Sequence, residues 1–381
     1  MFWGWGVIVE AFLRWSETAK AGDRAKAANA LGRAYLQCLA GTERQRAAGL
    51  AMTYLLDDPS PRVRLALAEA LADADIAPRG VIISLAEDQP EIACTVITRS
   101  PVLTDDDLVD LAGRGDSLRR GIIAARPSLS RCVAAAIAEI GDEGEALILL
   151  ENETASITRA SLRRLAERFG HRCDIRNMLL DREDLPADAR HMLVTYVADT
   201  LLRSPLVCGT MASGRIEHVM REAGEAATVT IAGTAAANEV LALVEHLRAG
   251  GHLTPAFLIH ALCTGKVDFF AKAMVSLSGL EERRVRSILA TARVHAVRAL
   301  FEAAGLGREL AEVFVEAVLL WRQAASELAV GSISLRLLER LRQDRNTLAA
   351  PVEVLDMLEK LCRVEERLNA RSYASRLSIA A

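Results

Sequence analysis

The segment Asp58–Leu71, DPSPRVRLALAEAL, decides the predicted fold of this chain. Asp58 and Pro59 suit a turn, Ser60 suits the N-cap of a helix, and Pro61 suits its first position. The apolar residues that follow recur at helical spacing on one face: Val63, Leu67, Ala70 and Leu71. The segment therefore predicts a turn followed by a short amphipathic helix.

Copies of this segment recur along the chain. Asn152–Leu165, NETASITRASLRRL, repeats its design, and weaker copies begin at Asp88 and Asp116, 30 and 28 residues after the copy before them. Such spacing is typical of helical repeats, in which each hairpin buries the apolar face of its neighbour. Hydrophobic residues make up 51% of the chain but aromatic residues only 4%, as in closely packed Ala- and Leu-rich helices. We therefore predict an all-α fold of stacked helical hairpins.

The acidic triplet Asp105–Asp107 raises the question of a metal site. Three successive helical positions point about 100° apart, so these carboxylates do not converge on one ion. Thr104 suits the N-cap of a helix, and acids in the first turn interact favourably with the helix dipole. A parallel stretch after Ser130 carries no acid in the same place. We predict that the triplet begins a helix and binds no metal.

Two known repeat types are similar to these segments. Segment 58–71 resembles the second helix of a HEAT repeat at Asp58, Pro61, Val63, Arg64, Ala70 and Leu71. The Pro-Val-Leu-Thr pattern that ends at Thr104 is similar to the leucine-rich-variant repeat. Over Leu50–Leu320 the chain resembles an uncharacterised bacterial family, a domain of unknown function that carries such repeats. The stretches that prompt this are EIACTVITRSPVLTDDDLVDL and FLIHALCTGKVDFFAKAMVSLSGLEERRVRSIL. The resemblance implies a HEAT-like α-solenoid and brings no catalytic residue with it.

The polar, turn-rich stretch Gly170–Pro186 predicts a boundary between two helical parts. We predict a HEAT-like repeat domain at 1–185, a second all-helical domain at 186–330, and C-terminal amphipathic helices at 331–381. The last predicted helix, Val352–Asn369, carries a leucine stripe: Leu355, Leu358, Leu361 and Leu368. Such a stripe either docks on its own domain or forms a homodimer with a second copy of the chain.

Composition favours a cytoplasmic protein without a transmembrane segment. The formal net charge of −4 is small for 381 residues, so no overall field attracts nucleic acid or an acidic membrane. The seven cysteines form no CxxC pair and mostly lie in apolar runs, which predicts reduced, buried side chains. The aromatic start, MFWGWGVIVEAFLRW, fits a cover for the end of a helical stack, with a membrane-surface anchor as the alternative.

Arginines on or near the predicted repeat helices are the candidate binding residues: Arg62, Arg64, Arg119, Arg120, Arg159 and Arg163. In HEAT-like stacks the second helix of each repeat lines the concave side, where guanidinium groups fork onto the carboxylates or phosphates of a partner. The other interpretation is that they join one repeat to the next by pairing with the turn aspartates. The sequence leaves both open.

Two Glu-His pairs, Glu217-His218 and Glu245-His246, are the candidate metal ligands. They lie 28 residues apart in predicted helices, and HEAT-like hydroxylases bind iron through histidine–glutamate pairs on successive repeats. Here the order is reversed, only two pairs occur, and neither HExxH nor ExxH is present. We therefore predict no metal, and a metal-dependent enzyme is the second alternative function.

The basic stretch Arg283–Arg298 supports the first alternative, a nucleic-acid-associated role, although Glu281 and Glu282 dilute its charge. No Gly-rich phosphate loop, GxSxG elbow or CxxC knuckle occurs, and no catalytic residue is assigned. The leading prediction is a non-catalytic adaptor, without a cofactor, that binds another protein through a concave groove.

Overall fold

The structure is a computed structural model that describes residues 4–39, 41–210, 212–327, 333–343 and 352–380. Within these ranges the chain forms 23 α-helices and no β-strand, so the all-α prediction is confirmed. It divides into two compact units, Met1–Leu185 and Pro186–Ala381, each of which is described by itself. No helix of the described ranges combines the length and the apolar character needed to cross a bilayer.

The described part of the first unit contains twelve helices. They are α1 (Gly4–Thr18), α2 (Ala21–Leu36), α3 (Glu43–Leu55), α4 (Pro61–Leu71), α5 (Arg79–Ala86), α6 (Pro90–Arg99), α7 (Asp105–Arg114), α8 (Ser117–Ala124), α9 (Arg131–Ile140), α10 (Glu143–Glu151), α11 (Arg159–Phe169) and α12 (Cys173–Asp181). Consecutive even-numbered helices pack on one another from α2 to α12. On the other series α1 packs on α3, and α7, α9 and α11 pack in order. Such alternation is the packing expected of successive helical hairpins.

A glycine sets the closest approach within this unit. Gly32 of α2 faces α4, and a Cβ atom at this position would lie 2.8 Å from Cβ of Ala70. The two backbones therefore come together over small residues, while Leu67 and Leu71 fill the space beside them. Because a Cβ–Cβ separation this short is sterically forbidden, the packing of α2 on α4 requires glycine here.

The predicted helix starts are confirmed where local capping decides them. Thr104 and Asp107 form a capping box, in which the Thr104 amide donates to the Asp107 carboxylate over 2.9 Å. Asp107 also accepts a hydrogen bond from Arg79 over 2.6 Å. Pro61 is the first residue of α4, although the side chain of Ser60 caps nothing and Asp58 Oδ1 instead accepts from the Ser60 amide. The acidic triplet begins a helix.

The prediction of buried cysteines is wrong for most of them. Cys263 and Cys362 are buried and Cys38 is half-buried, but four side chains are exposed: Cys94, Cys132, Cys173 and Cys208. The apolar run around Cys94 shows the reason, because α6 buries only the face that carries Ile92 and Val96. Cys94 lies on the opposite face of the helix, within the run but outside the core.

The described part of the second unit contains eleven helices. They are α13 (Ala187–Leu202), α14 (Pro205–Thr210), α15 (Ser213–Thr234), α16 (Val240–Ala249), α17 (Pro255–Cys263), α18 (Val267–Ser278), α19 (Glu282–Thr291), α20 (Val294–Ala303), α21 (Arg308–Glu327), α22 (Ile333–Gln343) and α23 (Val352–Ala380). Its core contains five fully buried phenylalanines: Phe257, Phe269, Phe270, Phe301 and Phe314. The ring of Phe270 stacks on Phe314 at 6.1 Å between centroids.

The two C-terminal helices pack on this unit. α22 contacts α21 and α23, and α23 contacts α17. Leu358 and Leu361 of the predicted stripe are buried and Leu355 is half-buried, whereas the side chain of Leu368 lies outside the described ones. The leucine stripe of α23 therefore packs on its own unit, which is the first of the two predicted alternatives. At the other end of the chain, the first three residues of the predicted aromatic cover lie outside the described residues.

Candidate functional site

The six candidate arginines do not lie on one series of helices. Arg62 and Arg64 belong to α4, and Arg119 and Arg120 belong to α8, both in the even-numbered series. Arg159 and Arg163 belong to α11, which packs in the other series. The copy at 152–165 differs from the first because α11 begins at Arg159, four positions later in the overlay than Pro61 of α4.

Arg64 joins two neighbouring turns. Its guanidinium group binds both carboxylate oxygens of Asp88, at 2.5 and 3.0 Å, and donates to the carbonyl oxygen of Asp58 over 2.5 Å. The side chain of Arg64 is only 12% exposed and that of Asp88 only 15%. This bidentate geometry is the strongest form of an arginine–carboxylate pair. The guanidinium group of Arg64, which would have to bind a partner, therefore already forms hydrogen bonds within the first unit.

The arginines of α8 are engaged in the same way. Arg120 donates to the Glu145 carboxylate over 3.1 Å and to the Gly115 carbonyl over 2.9 Å. Arg119 donates to the backbone carbonyls of Glu87 and Asp88. Burial raises the pKa of Glu145, but hydrogen bonds from its backbone amide, Ser117 and Arg120 outweigh it and the pKa lies below its ordinary value. Arg119 and Arg120 thus connect α8 to the turns on either side.

The arginine contacts of α4 and α8 follow a helix-position pattern that the sequence analysis missed. The fourth residue of four even-numbered helices is an arginine: Arg24, Arg64, Arg120 and Arg176. Arg24 pairs with Asp58 through two hydrogen bonds, at 2.7 and 2.9 Å. Burial raises the pKa of Asp58, yet the bonds from Arg24 and Ser60 outweigh this effect and hold it below its ordinary value. Counting positions from each helix start would have found this pattern.

The remaining candidates are exposed. Arg62 and Arg159 lie at the surface, and Arg163 forms an exposed pair with Glu167 of the same helix at 3.2 Å. Surface pairs of this kind contribute little to stability. A role of these three residues in binding a partner stays a prediction.

The two Glu-His pairs lie in different settings. His246 contacts His191, and Glu245 accepts hydrogen bonds from Ser276 and Arg248. Glu217 and His218 are exposed on α15. In the part of the chain that the structure describes, no three His, Cys, Asp or Glu side chains are placed to hold a metal ion.

The basic stretch that suggested nucleic-acid binding is partly neutralised. Arg286 binds Asp268 over 2.8 Å and Glu282 over 3.0 Å. Arg298 lies 3.6 Å from Glu312. Arg283 and Arg284 are exposed on α19 and supply the accessible positive charge of this helix.

A basic-rimmed groove runs along the second unit, and we call it the α15–α23 groove. Its volume is about 460 Å³, and apolar side chains form its walls: Val219, Ala223 and Ala226 from α15, and Met357, Leu361 and Val364 from α23. His260 of α17, a helix that contacts both walls, also lines the groove. The charged lining residues are Lys360, Arg363, Arg367 and one acid, Glu225. Positive charge therefore predominates beside the apolar walls of the groove.

A second cavity of about 330 Å³ lies along another face of α15, with Glu225 lining both cavities, and we call it the histidine pocket. One face of α13 supplies one wall: His191, Val194, Thr195, Ala198 and Leu202. One face of α15 supplies the opposite wall: Glu217, Met220, Arg221, Gly224, Glu225 and Thr228. His252, Thr254 and Phe257 close the third side from the loop before α17 and the start of that helix.

His191 and His252 line this pocket, and His191 also contacts His246 of α16. His191 Nδ1 lies 3.2 Å from His246 Nε2, and the ring of His191 packs edge-on against His246 and His252 at centroid distances of 5.2 and 5.3 Å. Gly250 leaves room for this arrangement, since a Cβ atom there would lie 2.7 Å from Cδ2 of His252. His191 is 4% exposed. Burial, and then the charges of His246 and His252, lower the pKa of His191 to about 4, so it is uncharged at neutral pH.

These features define an all-α protein of packed helical hairpins, with a groove and a pocket in its second unit. The chain belongs to the family described as an uncharacterised protein conserved in bacteria (DUF2336), whose model matches residues 92–350. The resemblance to an uncharacterised bacterial family is thereby confirmed. No curated protein matches the chain significantly.

Proposed function

We propose that this protein is a non-catalytic adaptor and that its α15–α23 groove binds an acidic amphipathic helix of a partner protein. The observation that carries the proposal is the groove itself, with apolar walls from α15 and α23 beside Lys360, Arg363 and Arg367. A helix that lays its apolar face into such a groove is a common mode of recognition between proteins. Helical-repeat folds, to which the sequence is similar, commonly present extended surfaces of this kind.

Charge complementarity selects the partner. A helix with carboxylates on both sides of its apolar stripe would place them beside the basic side chains of α23. A basic helix would be repelled by the same lysine and arginine side chains. The half-exposed side chain of Val364, at 52% relative exposure, gives the partner an apolar contact that this chain does not bury.

The experiment is site-specific crosslinking followed by a binding measurement. A photo-reactive phenylalanine replaces Val364 in the full-length protein in its bacterial host, and mass spectrometry identifies the crosslinked peptide. We expect one segment with a helical apolar stripe and flanking acids. A synthetic copy of this segment should bind the purified protein in a fluorescence anisotropy titration.

Paired charge reversals test the groove. Arg363→Glu with Arg367→Glu should weaken binding of the peptide about tenfold, because two favourable contacts become repulsive. Arg283→Glu with Arg284→Glu makes the same change of charge on α19 and should leave the affinity unchanged. Equal losses in both double variants, or crosslinks from position 364 only to nucleic acid or to a second copy of this chain, would refute the proposal.

A further inference from the structure

We infer that the histidine pocket is a binding site for a small organic amine with an apolar body. The volume of about 330 Å³ is within the range of small-ligand sites. Faces of α13 and α15, the loop before α17 and the start of α17 line it, and of its lining residues only Glu225 also lines the proposed protein-binding groove. The inference therefore does not depend on the adaptor function.

The walls of the histidine pocket are largely apolar and leave room for a ligand. Thr195 and Thr228 donate their hydroxyl hydrogens to the helix carbonyls of His191 and Gly224, at 3.1 and 2.6 Å, so these hydroxyls have a partner without a ligand. Gly224 itself faces open space, since a Cβ atom there would meet no atom within 4 Å. A bulky residue at this position would occupy the pocket, whereas alanine would leave most of its volume open and would favour the helix.

The charges at the pocket favour a cation over an anion. Glu217, Arg221 and Glu225 follow one another at four-residue spacing on α15, which places two carboxylates and one guanidinium group on the same face. His191 adds no charge at neutral pH, because its burial disfavours protonation. The lining thus carries one more carboxylate than guanidinium groups, and this excess negative charge attracts an ammonium group and repels an anionic ligand.

Three probes with the same apolar body and different charges test the inference. Hexylamine, hexanol and hexanoate are titrated at neutral pH into the full-length protein, and the histidine ring signals are followed by NMR. We expect hexylamine to shift the signals of His191 and His252 and to bind about fivefold more tightly than hexanol, as one partly exposed ion pair allows. Hexanoate should bind this pocket most weakly.

Two substitutions locate the site, a third is their control, and a fourth tests the charge preference. Gly224→Phe should abolish binding of hexylamine by filling the pocket, and Ala198→Trp should do so from the opposite wall. Gly224→Ala is the matched control, which should retain binding and the helical circular dichroism signal. Glu217→Gln should reduce the preference for hexylamine over hexanol to about twofold or less.

The groove provides an internal comparison. Neither Arg363 nor Arg367 lines the pocket, so Arg363→Glu with Arg367→Glu should leave the hexylamine shifts of His191 and His252 unchanged while weakening peptide binding about tenfold. Hexanoate binding as tightly as hexylamine in the pocket, or hexylamine binding that survives both Gly224→Phe and Ala198→Trp, would overturn the inference. Either result leaves the groove proposal standing, because that proposal is measured with a different ligand and different variants.

Discussion

At the residue scale, the arginine at the fourth position of α4 shows how one side chain serves two turns. Arg64 binds Asp88 through both carboxylate oxygens and also satisfies the carbonyl of Asp58. An arginine can make this contact because its planar fork offers several donors in fixed directions, whereas a lysine offers a point charge. Arg62, two positions earlier on the same helix, is exposed.

This contrast makes Arg64→Met and Arg62→Met a matched pair. Arg64→Met should lower the free energy of unfolding by about 2 kcal/mol, because the carboxylate of Asp88 and the carbonyl of Asp58 lose a charged donor. Arg62→Met should change it by less than about 0.5 kcal/mol. Urea unfolding followed by circular dichroism measures both. Equal effects would show that the bonds of Arg64 contribute nothing beyond a surface charge.

At the element scale, a glycine decides how closely α2 packs on α4, and a capping box decides where α7 begins. α2 approaches α4 over Gly32, where a methyl group would lie 2.8 Å from Cβ of Ala70. Gly32→Ala should therefore lower the free energy of unfolding by about 1 to 3 kcal/mol, because the packed helices must separate to admit it. Gly22→Ala on the same helix meets nothing within 4 Å and should be neutral or slightly stabilising. Thermal unfolding of both variants compares them, and a stabilising Gly32→Ala would contradict the close approach.

The start of α7 gives the second test at this scale. Thr104→Ala should cost about 1 kcal/mol, because it removes the acceptor for the Asp107 amide in the capping box. Asp106→Asn keeps the cap and should cost only a few tenths of a kcal/mol through the helix dipole. Addition of calcium or magnesium should not raise the unfolding temperature of the unmodified protein. A large metal-dependent increase that Asp106→Asn removes would restore the metal interpretation of the triplet.

At the scale of the whole molecule, the buried His191 links stability to pH. His191 has an ordinary pKa of 6.5 when unfolded and a pKa of about 4 when folded. The unfolded chain therefore binds more protons at this site between these values, so the free energy of unfolding falls as the pH is lowered through this window. This contribution is fully present above pH 6.5, and its loss by pH 4 amounts to about 2 to 3 kcal/mol.

His191→Phe tests this linkage, since phenylalanine keeps an aromatic ring at the position and cannot be protonated. Urea unfolding at pH 7.5, 6.0 and 4.5 should show a smaller decrease for the variant than for the unmodified protein. His218→Phe, at an exposed position on α15, is the comparison and should retain the full decrease. Parallel pH profiles for His191→Phe and the unmodified protein would contradict a neutral, buried His191.

The sequence by itself determined the helices and many of their ends. Pro61 is the first residue of α4 and Leu71 the last, and Thr104 caps the helix that begins with the acidic triplet, as predicted. Capping, proline placement and apolar periodicity act over one or two turns, so they can be interpreted from neighbouring residues alone. Family membership was predictable for a similar reason, since it rests on patterns in the chain itself.

Only the tertiary structure decided which side chains meet. It turned Cys94 to the surface, engaged Arg64 and Arg120 in contacts within the first unit, and brought His191 to His246 across 55 residues of chain. The pocket and the groove arise in the same way, from faces of helices that are distant in sequence. A helical period fixes which residues share a face, but which other face it meets depends on the packing of the entire unit.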